Sequence, residues 1–157
     1  MRRVLAVLAG LVVLAGATWT IYARERLLAD GRVVLLATAP VDPRSLMQGD
    51  YMALNFDMGG AVHTCARDGT DGRVIARVDD RGVAGFARCD DGRPLDPGEV
   101  ALRYRIRGEH PKFATNAFFF QEGTARRYEG ARYGEFRVAP DGELLLTGLR
   151  DKDLRPL

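Results

Sequence analysis

The feature that most constrains this chain is an uninterrupted apolar segment near its N-terminus. Residues 4–23 read VLAVLAGLVVLAGATWTIYA, twenty residues without a charged side chain. At the rise of an α-helix, this length matches the roughly 30 Å hydrocarbon thickness of a bilayer. Trp19 and Tyr22 lie where interfacial aromatic residues are expected, and Arg24 and Arg26 follow directly. We therefore predict a transmembrane helix that anchors whatever follows in the lipid bilayer.

The same segment also has the general layout of a cleaved signal peptide, with Arg2 and Arg3 before the apolar run and small residues at 15–17. Its length exceeds that of an ordinary signal-peptide core, which favours an anchor. Because arginines flank both ends, the charge bias toward a cytoplasmic N-terminus is slight. Under either interpretation, we expect the rest of the chain to be exported. We expect a single-pass protein of a bacterial inner membrane with its C-terminal domain outside the cytoplasm.

The remaining residues have the length of one domain and read as many short strands. Residues 99–107 alternate, with Val100, Leu102, Tyr104 and Ile106 on one face and three arginines, which we expect to be solvated, on the other. Residues 73–79 and 83–89 predict one hairpin, and residues 135–138 and 144–147 predict another. Further short strands are expected at 32–38, 51–56, 118–120 and 125–128.

This pattern predicts a mainly β fold, in which the N-terminal transmembrane helix precedes a compact antiparallel β sandwich or barrel-like domain. We divide the chain into an anchor with a juxtamembrane helix (1–31), a β-rich extracytoplasmic domain (32–150) and a loose C-terminal tail (151–157). The formal net charge is +2, and Arg2 and Arg3 account for it, so the rest is neutral. That balance argues against nucleic-acid binding, which needs a basic excess to neutralise phosphates.

One short segment carries a recognisable signature. Residues 49–56 read GDYMALNF, and Gly49, Asp50, Tyr51 and Leu54 match the letters that give the bacterial GDYxxLxY family its name. Phe56 stands where that name has tyrosine, which keeps the aromatic ring but removes the hydroxyl. Residues 41–46, 119–123 (including Glu122 and Gly123), 131–135 and 142–145 resemble further blocks of the family.

The resemblance implies a small protein with one N-terminal membrane helix and a β-rich domain of unknown function. Members are often encoded beside multi-spanning membrane proteins, which implies an integral membrane partner. The motif letters also have a structural meaning, because glycine and aspartate suit a turn and Tyr51 and Leu54 then face opposite sides of a strand. Such a strand is either buried on both sides or has a core face and a contact face.

Cys65 and Cys89 are the two cysteines of the chain, and in an oxidising compartment they could form a disulfide. The alternative is a metal site, in which His63 and Cys65 lie on one face of a strand and Cys89 approaches them. No second paired motif supports this alternative, so we expect neither a metal nor a cofactor.

No residue set predicts a convincing catalytic site. Ser45, followed by Gly49 and Asp50, faintly resembles the nucleophile box of the signal-peptidase fold, but that chemistry needs a buried lysine base. The lysines of the chain are Lys112, in a loop-like stretch, and Lys152, in an acidic tail. The carboxylates Asp50, Glu122, Glu129 and Glu135 are expected in solvated or turn-capping roles. We therefore expect a non-enzymatic accessory module for a membrane or envelope partner. The alternatives are an envelope hydrolase and a periplasmic binder of a small molecule or metal.

Overall fold

The computed structural model of the protein describes residues 2–39, 47–48, 51–66, 70–107, 110–115 and 117–157. Its helices are α1 (Arg2–Asp30), α2 (Gly59–Cys65) and α3 (Ala125–Tyr128). Its strands are β1 (Arg32–Ala37), β2 (Met47–Gln48), β3 (Tyr51–Ala53), β4 (Gly72–Val78), β5 (Val83–Cys89), β6 (Glu99–Arg107), β7 (His110–Phe113), β8 (Ala117–Phe119), β9 (Tyr133–Val138) and β10 (Leu144–Arg150). The predicted apolar helix and β-rich domain are both confirmed.

Helix α1 leads into the domain without a linker. It is long and apolar enough to cross a membrane, and Leu27 alone of its residues is buried. The helix ends at Gly31, as predicted, where the amide donates a hydrogen bond to the Leu27 carbonyl at 3.0 Å. A Cβ atom at residue 31 would lie 2.4 Å from that oxygen, so a glycine is required at this junction. Strand β1 then begins at once.

Seven strands form one sheet in the order β10-β9-β1-β5-β4-β6-β7. The sheet nearly closes into a barrel, since the amide of Arg103 in β6 donates a hydrogen bond to the carbonyl of Gly142, in the turn before β10, at 2.8 Å. Neighbouring strands are antiparallel with one exception in this sheet: β1 and β5 run parallel over Leu35–Val83 and Leu36–Ala84. The many residues between these two strands give the chain room for a parallel connection.

The barrel interior is filled by the inward faces of its strands. The alternation predicted for β6 holds from Leu102 onward, where Leu102 and Tyr104 are buried, Ile106 packs against the core and the arginines at 103, 105 and 107 are exposed. At the start of the strand, Glu99 and Ala101 are buried as well as Val100. The largest fully buried side chains of this core are Phe113, Phe136, Leu36, Leu102, Leu149, Val34, Val62 and Val74. Both predicted hairpins are present, and in the second Val138 pairs with Leu144.

Two segments expected as strands are helical. Residues 59–65 form α2, which buries Val62 and leaves His63 exposed, so His63 and Cys65 do not share a strand face. Residues 125–128 form the single turn α3, started by a turn in which the Thr124 hydroxyl donates to the Gln121 carbonyl. Both helices are too short to show a helical period in the sequence, which explains the wrong assignments.

The C-terminal residues are not a loose tail, contrary to expectation. Pro156 forms a β-bridge with Arg150, and the amide of Leu157 donates to the Leu149 carbonyl at 3.0 Å. The Asp151 carboxylate accepts hydrogen bonds from the amides of Asp153 and Arg155, and the Arg155 amide is the main reason that the pKa of Asp151 is lowered. These bonds hold the last residues against the barrel.

Candidate functional site

The signature segment lies at the end of the barrel opposite α1. Gly49 and Asp50 fall outside the described residues, and β3 pairs with β2 and β8 in a separate three-stranded sheet. Strand β1 begins next to α1 and ends at Ala37, about 17 Å away at the rise of a strand. Beyond that end, Thr38 forms a β-bridge with Phe56, and the Asp57 amide donates to the Ala37 carbonyl at 3.0 Å. The signature strand is thereby tied to the far rim of the barrel.

Leu54 and Phe56 are core residues. Their exposed fractions are 3% and 8%, and the Phe56 ring packs edge-on against Phe136, with ring centroids 5.3 Å apart. A Cβ atom at Gly134 would lie 2.9 Å from Cε1 of Phe56. A glycine in β9 therefore makes room for the last ring of the signature. This contact gives a physical reason why the two blocks singled out in the sequence occur together.

Tyr51 lies on the other face of the signature strand. It is half-buried and pairs in register with Phe119 of β8, with ring centroids 5.8 Å apart. Phe119 is 74% exposed, although it is a large apolar residue. We call Tyr51 and Phe119 the aromatic pair. Of the two alternatives left open by the sequence, the structure shows a strand with a core face and an outward face.

The strand that carries Phe119 is held in place by neighbouring inward-facing aromatic rings. Phe118, next to Phe119 in β8, points inward and packs against Tyr128 of α3, with ring centroids 5.2 Å apart. Phe120 packs against the same tyrosine ring at 5.2 Å. Because the inward rings fix the backbone of β8, the exposed ring of Phe119 is presented from a rigid element.

Glu122 and Gly123 form the turn between β8 and α3 and are both exposed. Gly123 has a φ of +80°, a left-handed conformation that favours glycine, which accounts for this residue in the turn. Glu122 has no ion pair with any residue that the structure describes. Glu122 and Gly123 therefore serve to form the turn beside the aromatic pair.

The cysteines form a disulfide between α2 and the end of β5, with their Cα atoms 5.4 Å apart. Both sulfurs are therefore occupied, and His63 points to solvent on α2, which removes the ligand set that the sequence allowed for a metal. Within the described ranges, no group of three or more histidine, cysteine, aspartate or glutamate side chains is placed to hold a metal ion.

The serine arrangement gains no support. Ser45 lies outside the described residues, and Lys112, expected in a loop, lies half-buried in β7 opposite Arg105. Lys152 is exposed and pairs with Asp153 at 3.0 Å. Glu135 accepts a hydrogen bond from Arg150 and another from Thr147. Lys152 and Glu135 thus have structural partners.

One buried carboxylate, that of Glu99 at the start of β6, was not among the predicted site residues. Its side chain is 3% exposed, and it accepts hydrogen bonds from the Asp96 amide at 3.1 Å and from Arg88 at 3.0 Å. These bonds, the amide first, lower the pKa of Glu99, and the same ion pair raises the pKa of Arg88. A carboxylate held ionised in this way serves as a structural ion pair that ties β5 to β6.

A second feature that the sequence did not reveal is a groove of about 260 Å³ beside the end of α1. Arg24 of α1 and Arg103 and Arg105 of β6 line it, with Glu143 and the first residues of β10 opposite. We call it the arginine groove. The alternation of β6 indicated an arginine face, but only the folded chain brings residue 24 next to residues 103 and 143.

Comparison with known proteins gives one family match, which covers most of the chain. No curated protein and no solved structure matches the chain. A family model described as GDYXXLXY protein matches residues 13–149, which include the end of the apolar helix, the signature strand, the aromatic pair and both hairpins. The chain therefore belongs to the GDYXXLXY family.

Proposed function

We propose that the protein is a non-enzymatic interaction module, tethered to a bacterial inner membrane, whose aromatic pair contacts an integral membrane partner. The observation that carries this proposal is the exposed ring of Phe119, packed at a tilt against Tyr51 of the family signature. Aromatic side chains are enriched at the centres of protein interfaces, because they bury large areas while losing little conformational entropy. Two such rings on a rigid strand pair fit that role.

The proposed location has two supports. Helix α1 is long and apolar enough to span a bilayer, and its direct junction with β1 would hold the domain close to that bilayer. The disulfide between Cys65 and Cys89 fits a domain on the oxidising side of the membrane, since disulfides are rare in reducing cytoplasm. A partner with extracytoplasmic loops would then lie within reach of the aromatic pair.

The location can be tested with alkaline phosphatase, an enzyme that is active only after export, fused after Leu157. We expect active fusions in the membrane fraction, and the intact mass of the protein should include residues 1–31. Inactive fusions would contradict the exported location. A mature chain that lacks the apolar segment would show that this segment is a cleaved signal peptide and not an anchor.

The contact can be tested with the photoreactive residue benzoylphenylalanine placed at position 119 in intact cells. We expect an adduct of one defined size with an integral membrane protein, and Tyr51→Ala in the same chain should reduce its yield. Phe86, 38% exposed on β5, offers a matched control position at which no such adduct is expected. Equal labelling at positions 119 and 86, or none at 119, would contradict the proposal.

A further inference from the structure

We infer that the arginine groove binds the headgroup of an anionic phospholipid. The groove has a volume of about 260 Å³ and lies between the end of α1, the outward face of β6 and the start of β10. The inference rests on α1 spanning a bilayer. It is independent of the aromatic pair and of any protein partner.

The first step concerns depth. Arg24 is the first charged residue after the apolar run of α1, so in a spanning helix it lies at the level of the lipid headgroups. Arg24 also lines the groove, where it donates a hydrogen bond to Glu143 at 3.1 Å. The mouth of the groove is thereby at the depth where the phosphates of the membrane lie.

The second step concerns charge. Three arginines line the groove against one carboxylate, Glu143, which also accepts a hydrogen bond from Arg103 at 3.3 Å. Arg103 lies 3.5 Å from Asp141 in the adjoining turn. Arg105 has no carboxylate partner among the described residues. The groove therefore holds a surplus of positive charge.

The strand register places a second positive charge beside Arg105. Arg105 lies directly opposite Lys112 of β7, whereas Arg103 lies opposite Arg73 of β4, whose charge is balanced by an ion pair with Asp90 at 2.8 Å. Like charges in directly opposed positions destabilise a sheet. A bound phosphate would relieve this repulsion, and guanidinium groups match its oxygens with paired hydrogen bonds.

The third step separates a lipid from a free anion. Leu144 and Leu146 pack into the barrel core, so the apolar floor of the groove is formed by half-buried Leu145 and exposed Ala114. A free phosphate has no apolar part to cover these side chains. The glycerol and first methylene groups of a phospholipid would lie against them while the phosphate faces the arginines.

The test uses the full chain in nanodiscs that contain equal amounts of phosphatidylglycerol and phosphatidylethanolamine. Native mass spectrometry of the released protein measures which lipid stays bound. We expect wild-type protein to retain phosphatidylglycerol preferentially and Arg105→Gln to retain about fivefold less, since one arginine near a membrane surface contributes about 1 kcal/mol. Arg126→Gln, which removes an exposed arginine from α3 at the far end of the barrel, should match wild type.

A second measurement distinguishes a loss of lipid binding from a loss of folding in the variant. Arg105→Gln removes the repulsion with Lys112, so its melting temperature should equal or exceed that of wild type. Equal retention of the two lipids by wild type, unchanged retention by Arg105→Gln, or the same loss in Arg126→Gln would overturn the inference. Full displacement of the retained lipid by soluble glycerol phosphate would also overturn it, because the apolar floor would then contribute nothing.

Discussion

The disulfide between Cys65 and Cys89 offers the sharpest test of the architecture, because its contribution can be worked out from the chain. The two residues are 24 positions apart, and the closed loop contains the link from α2 to β4 and the β4–β5 hairpin. The loop-closure entropy of the unfolded state then predicts a stabilisation of about 3.5 kcal/mol at 25 °C. Since domains of this size are stable by about 5–15 kcal/mol, that loss is large.

The perturbation is the double variant Cys65→Ala with Cys89→Ala, compared with wild type in the presence and absence of a reductant. Urea and thermal denaturation of the full chain in detergent, followed by circular dichroism, give the free energy of unfolding and the melting temperature. We expect the melting temperature to fall by roughly 10 °C in the variant. Reduction should lower the wild-type value by a similar amount and leave the variant unchanged.

The two comparisons separate the crosslink from side-chain packing. Cys65 is half-buried against the core, so its replacement by alanine removes some contact as well as the bond. Reduced wild type keeps both thiols and loses only the crosslink. A change under about 1 kcal/mol on reduction, or reactive thiols in oxidised wild-type protein, would refute the reasoning.

Three further predictions concern the barrel. Phe56→Ala should lower the free energy of unfolding by about 3–5 kcal/mol, because its ring packs against two core rings, whereas Phe119→Ala should change it by less than about 0.5 kcal/mol. Equal losses in urea denaturation would contradict the assigned faces of the signature. Gly142→Ala should lower the free energy of unfolding by about 1–2 kcal/mol, since residue 142 has a φ of +89° and a Cβ atom there would lie 3.2 Å from a carbonyl oxygen of β6. An unchanged urea midpoint would show that β6 and the turn before β10 are not tightly packed at this point. The pKa values of Glu99 and Asp151 are lowered from 4.5 and 3.8, so their stabilisation is complete above those values and is lost as pH falls through the lower folded-state values. The melting temperature should therefore be nearly constant from about pH 7 to 5.5 and fall below about pH 4.5, and Glu99→Gln should weaken that fall.

Those parts of the fold that depend on neighbouring residues could be predicted from the sequence. The alternation over β6 and the turns that close the hairpins β4–β5 and β9–β10 are local signals, and the structure has these elements at nearly the expected bounds. Helix α2 was missed because Val62 alone of its seven residues is buried, so no period shows. The outward face of Tyr51 could be expected from alternation, but the exposure of Phe119 could not.

The sequence by itself determined the spanning length of α1, its end at Gly31, the mainly β character of the domain and the family, because each depends on residue types at short spacing. Only the tertiary structure decided which strands meet, including the parallel pairing of β1 with β5 and the near closure through Gly142. It also decided that Arg24 joins Arg103 and Arg105 in one groove and that Tyr51 packs against Phe119. Such contacts join residues distant in the chain, and their geometry depends on the packing of the whole barrel, which no local pattern encodes.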